Sequence, residues 1–97
     1  MEAVKRIEII VDALEVPDLL RRLEQAGVSG YTVMHDATGK GERGLRDGGE
    51  LTDVFKNSYL IAACPPEQVR SIIEAVRPIL KQRGGVCLVS DAMWVIH

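Results

Sequence analysis

The sequence predicts an α+β sandwich in the order strand, helix, strand, strand, helix, strand, and three observations carry that prediction. Four short segments are dense in β-branched and aliphatic residues, the composition of a pleated sheet. Two longer segments place apolar residues at helical spacing, each opened by proline and closed by glycine. The 97 residues contain no internal repeat and no interdomain linker, so residues 1–97 form a single domain.

Lys5 to Val11 sets Arg6, Glu8 and Ile10 against Ile7, Ile9 and Val11 with a period of two, which is a strand. Pro17 and Asp18 open the first helix, with Val16, Leu19, Leu20, Leu23 and Ala26 as its apolar stripe; Gly27 closes it where a left-handed cap favours a residue without Cβ. Gly30 to Asp36 and Ser58 to Cys64 read as strands two and three. Pro65 and Pro66 start the second helix, with Val69, Ile72, Ile73, Val76 and Leu80 on its buried face. Pro78 is expected to disturb its last turn, because it cannot donate to the carbonyl of Glu74. Gly84 and Gly85 end that helix, Val86 to Ser90 forms strand four, and Met93 to Ile96 adds either a short fifth strand or an apolar tail.

This order is that of a ferredoxin-like βαββαβ sandwich with both helices on one face of the sheet. Strands one, three and four are apolar on both sides, so the other face is left greasy; packing sheet face on sheet face in a homo-oligomer is the economical solution. A chain of this length buries only roughly 60 to 65% of its unfolded surface, which makes association a further source of stability. In the usual strand order the first strand lies between the third and fourth. Cys64 and Cys87 would then stand about 9.6 Å apart, beyond disulfide reach, and both are expected to be reduced core residues.

Twelve basic and fourteen acidic residues give a net charge of −2, no footprint for nucleic acid or an anionic membrane. No apolar run approaches the roughly 20 residues of a membrane span, and the first residues lack signal-peptide order, so a cytoplasmic location is expected. His35, His97, Cys64 and Cys87 lack the spacing of a zinc set. Asp36, Glu42, Asp47 and Asp53 form no fixed carboxylate pair, and Ser58 and Ser90 have no identifiable base, so no catalytic residues are assigned. Trp94 is expected to anchor the C-terminal segment.

Between strands two and three, Ala37 to Asp53 is rich in glycine and charge, an excursion a small domain rarely keeps without a use. Gly39-Lys40-Gly41-Glu42-Arg43-Gly44 matches G-x-G-x-x-G, yet Leu45-Arg46-Asp47-Gly48-Gly49 cannot start the helix that a dinucleotide fingerprint needs. What remains is a loop whose glycines let backbone N–H groups approach a ligand and whose Lys40, Arg43 and Arg46 suit phosphate or carboxylate-like anions. A flexible, solvated loop is the plain alternative, since Glu42, Asp47, Glu50 and Asp53 dilute the positive charge.

Gly27-Val28-Ser29-Gly30-Tyr31-Thr32-Val33-Met34, followed by Gly39-Lys40-Gly41-Glu42-Arg43-Gly44-Leu45-Arg46, resembles the PII signalling family, above all its small PII-like members linked to bicarbonate uptake and carboxysomes. The first strand and the second helix extend the resemblance over nearly the whole chain. It implies a non-catalytic homotrimer that binds adenine nucleotide between subunits and acts on a target through a flexible T-loop, here the Ala37 to Asp53 excursion. Carried over, Thr32 lies near the adenine, Gly39, Lys40, Gly41, Arg43 and Arg46 form the anion-binding loop base, and Gly84, Gly85 and Val86 match a second phosphate loop. Nucleotide binding is thus assigned to Thr32, Gly39, Lys40, Gly41, Gly84, Gly85 and Val86, and bicarbonate binding to Lys40, Gly41, Arg43 and Arg46.

Nitrogen-sensing relatives carry a Gly-Asp-Gly-Lys loop for triphosphate, whereas this chain has Arg83-Gly84-Gly85-Val86, which favours AMP or ADP over ATP. No obligatory cofactor and no metal is expected; the target would be a transporter or a carboxysome-linked protein. Two other readings remain at this point: slow nucleotide hydrolysis at the same cleft, or an acylphosphatase-like activity, and a metal- or amino-acid-binding module of similar architecture.

Overall fold

The computed structural model describes residues 1–38 and 56–97. Its elements are β1 (Glu2–Asp12), α1 (Val16–Gln25), β2 (Thr32–Ala37), β3 (Asn57–Cys64), α2 (Val69–Arg83) and β4 (Val86–Trp94), with short 3-10 turns at Ala13–Glu15 and Pro66–Gln68. The strands form one antiparallel sheet in the order β2-β3-β1-β4. This is the predicted βαββαβ sandwich with β1 between β3 and β4.

Alternation decides which side is buried. Ile7, Ile9 and Val11 of β1 join Leu60, Ala62 and Cys64 of β3 and the buried faces of both helices in a single hydrophobic cluster. On α1 the buried residues are Val16, Leu19 and Leu23, with Leu20 and Ala26 packed at the margin. Gly27 takes a φ of 96°, the left-handed cap that its position after the helix requires.

Several local expectations are corrected. Pro78 lies inside α2, and the helix runs on to Arg83, because burial of Ile72, Val76 and Ile79 outweighs one missing hydrogen bond. The stripe therefore includes Ile79, while Ile73 is only half-buried. Pro65 and Pro66 precede or enter a 3-10 turn, and α2 proper begins at Val69. No fifth strand forms among the described residues: β4 continues through Met93 to Trp94, paired with β1 along its whole length.

The register also revises the cysteine geometry. Cys64 faces Lys5 whereas Cys87 faces Ile9, so the two are displaced by four residues along β1, about 13 Å of strand in addition to the lateral spacing. Both are free; Cys64 is buried and Cys87 half-buried. Burial pushes both thiols above their ordinary pKa, which keeps them protonated.

Among the described residues, nothing covers the second face of the sheet. It exposes Met34, Val86, Leu88 and Trp94, with Leu88 56% exposed. Trp94 does not anchor the C-terminus by burial: it stands opposite Glu2 at the end of β4 and is 52% exposed.

Candidate functional site

Three junctions meet at one end of the sheet, and strand pairing puts them there. β2 runs out at Ala37, level with Asn57 of β3, which in turn faces Asp12 at the end of β1. β4 begins with Val86 opposite Ile10, two residues before that end. The stem of the excursion, the β1–α1 junction and the α2–β4 junction therefore share one rim. Its ties are specific: Ala13 N–H donates to the Lys56 carbonyl at 2.7 Å, Leu14 N–H to Asp12 Oδ1 at 2.9 Å, and Arg83 Nε lies 3.7 Å from Glu15 Oε2.

Of the residues singled out from the sequence, Gly84, Gly85 and Val86 sit on this rim. Gly84, at φ 82°, caps α2 through its N–H to the Leu80 carbonyl at 2.9 Å. Gly85, at φ 128°, is required by packing: a Cβ there would come 2.7 Å from the Ile10 carbonyl oxygen and 3.0 Å from Val11 Cγ1. The turn thus needs both glycines before any ligand is considered. Val86 is exposed on the open face.

Thr32 opens β2 on the far edge of the sheet, facing Ile61. Three strand spacings, roughly 14 Å, separate that edge from β4. One chain alone does not bring Thr32 to Gly84, Gly85 and Val86. Gly39, Lys40, Gly41, Arg43 and Arg46 lie outside the described residues.

Two features of the rim escaped the sequence reading. β2 changes register between Met34 and Ala37, with Asp36 at φ 63°; a polar residue that tolerates left-handed backbone is the only sequence sign of this bulge. His35 at the same place sets Nδ1 3.3 Å from Oγ of Ser58, which is otherwise buried with 2% exposure. Ser58 is therefore a satisfied core hydroxyl, and His97 lies in the unpaired C-terminal residues. Among the described residues no three His, Cys, Asp or Glu side chains gather as metal ligands.

The sheet order with both helices on one face defines the class: a ferredoxin-like domain with a long excursion between β2 and β3. Comparison with known proteins narrows it. The chain belongs to the nitrogen regulatory protein P-II family, whose model matches residues 4–96. CPII, a nitrogen regulatory PII-like protein from Thiomonas intermedia K12, is similar in structure when bound to ADP, AMP and bicarbonate, with a TM-score of 0.82 at 27% identity over 98% of this chain and 96% of that one. CPII bound to ADP, AMP and acetate has the same TM-score and identity over 98% and 91% of the two chains. CPII bound to ADP and bicarbonate gives 0.80 at 33% identity over 95% and 88%. No curated protein sequence matches. The chain is thus a PII-like regulatory protein, and no helix among the described residues is long and apolar enough to cross a membrane.

Proposed function

We propose that this protein is a cytoplasmic, non-catalytic sensor that binds AMP or ADP together with bicarbonate in clefts between the subunits of a homotrimer. Through the Ala37 to Asp53 excursion it regulates a partner in inorganic-carbon transport or carboxysome function. The observation that carries the reading is the likeness, at 33% identity over 95% of the chain, to a structure that holds ADP and bicarbonate.

Geometry supports a shared cleft. Thr32 and the Gly84 to Val86 turn occupy opposite edges of the sheet. A site that uses both draws them from adjacent copies, and the uncovered sheet face offers a surface on which copies can meet. Lys40, Gly41, Arg43 and Arg46 provide the forked donors and backbone N–H groups that suit a small planar monoanion. That CPII also takes acetate fits recognition of a carboxylate-like shape.

The test is isothermal titration of AMP and ADP with and without bicarbonate at constant pH and ionic strength. Bicarbonate is expected to tighten nucleotide binding, and nucleotide to tighten bicarbonate by the same factor. Equal affinities sink the coupling. Lys40→Ala and Arg43→Ala should each weaken the anion while thermal unfolding stays unchanged; binding that survives both removes the loop from the site. Phosphate release on incubation with ADP or ATP would turn the reading towards a hydrolase.

A further inference from the structure

On the sheet face that the helices leave open, a strip of polar side chains crosses three strands. Tyr59 of β3 donates its hydroxyl to Glu8 Oε2 of β1 at 2.6 Å. Glu8 Oε1 lies 3.4 Å from Arg6 Nε, and Arg6 Nε donates to Ser90 Oγ of β4 at 3.1 Å. The register sets this strip among apolar neighbours: Arg6 faces Ala63, Glu8 faces Ile61 and Leu88, and Ile10 faces Tyr59 and Val86.

The side chains of Arg6 and Glu8 are 48% and 24% exposed, so one chain already removes part of their solvent. Covering the face would remove the rest. The terminal guanidinium nitrogens of Arg6 make no hydrogen bond among the described residues, which leaves donors for a second molecule. A face that carries both a cation with spare donors and an anion is complementary to itself. Aliphatic contact is non-directional and accepts many settings. A desolvated charge pair accepts only the setting that satisfies it.

We propose that the Arg6–Glu8–Tyr59–Ser90 strip is the specificity element of self-association: it restricts the open sheet face to further copies of this chain, in one register and one copy number. The proposal rests on the self-association in the functional reading above, though not on the number three.

Native mass measurement and analytical ultracentrifugation of the full chain test it. Wild-type protein is expected at a single copy number. Glu8→Ala leaves Arg6 without its counter-charge in every copy and should raise the concentration of half-dissociation by at least about a hundredfold. Should that variant fail to fold by circular dichroism, Tyr59→Phe, which removes one hydroxyl, serves the same comparison with a smaller rise. The combined variant Arg6→Met, Glu8→Leu, Tyr59→Phe, Ser90→Ala should associate at least as tightly as wild type but as a mixture of copy numbers. A combined variant of one copy number identical to wild type overturns the proposal, as does unchanged dissociation of the single variant. Wild-type protein of one copy number other than three overturns only the trimer reading; wild-type protein that stays a single chain overturns both.

Discussion

Gly85 separates two explanations that a sequence cannot distinguish. Glycines at that turn read as phosphate-binding, yet the φ of 128° and the 2.7 Å approach of a notional Cβ to the Ile10 carbonyl give a structural requirement independent of any ligand. Gly85→Ala should destabilise the ligand-free protein by about 2 to 4 kcal/mol, the sum of a strained backbone and an overpacked contact, as read from denaturant midpoints. Unchanged stability would mean that the turn relaxes freely and that the glycine answers to ligand alone. Tyr59 is another residue whose role is set by its neighbours: the hydrogen bond to Glu8 raises its pKa above the ordinary value, and nothing in its own sequence context announces a carboxylate partner from β1.

At the scale of the element, α2 shows packing overriding propensity. Pro78 forfeits the bond to the Glu74 carbonyl and disfavours helical angles at Arg77, yet the helix extends through it to Arg83. The buried stripe at 72, 76 and 79 holds both sides of the proline to the same core. Pro78→Ala restores the missing donor and should stabilise the protein by about 1 to 2 kcal/mol. The thermal midpoint is then expected to rise by at least about 4 °C; a fall would show that the proline ring itself fills space against the core. β4 is the converse case. Val86 to Trp94 mixes Ser90 and Asp91 into an apolar run, and pairing with β1 carries the strand across both.

For the whole molecule the governing fact is a sheet that, among the described residues, is covered on one side. Ile7, Ile9, Leu60 and Ile72 are sealed beneath the helices, whereas Leu88 and Trp94 face outward on the other side. Leu88→Lys touches no part of the sealed core and should change the unfolding free energy of the chain by no more than about 0.5 kcal/mol. On the proposed association it should instead dissociate the assembly, visible as a drop in native mass with unchanged circular dichroism. An assembly unmoved by this charge would place the contact between copies elsewhere. Association of this kind also makes the thermal midpoint of the wild type depend on protein concentration.

The order of elements, the buried side of β1, most of each helix's buried stripe and the family were legible in the residues, because period-two and 3.6-residue patterns, proline starts and glycine stops are local properties of a chain; Ile79 in place of Ile73 on α2, and which side of β3 and β4 is buried, were not. The open sheet face was legible only in part: β3 is apolar on both sides as expected, whereas β1 turns Arg6 and Glu8 outward. Tertiary structure alone decided what depends on register. Only the pairing of Lys5 with Cys64 and of Ile9 with Cys87 shows how far apart the cysteines lie. Only strand order reveals that Thr32 and Gly85 stand on opposite edges, and that Arg6, Glu8, Tyr59 and Ser90 form one strip from three strands. Contacts between residues more than fifty positions apart are set by how strands align across the sheet, and that alignment is a property of the packed molecule rather than of any stretch of sequence.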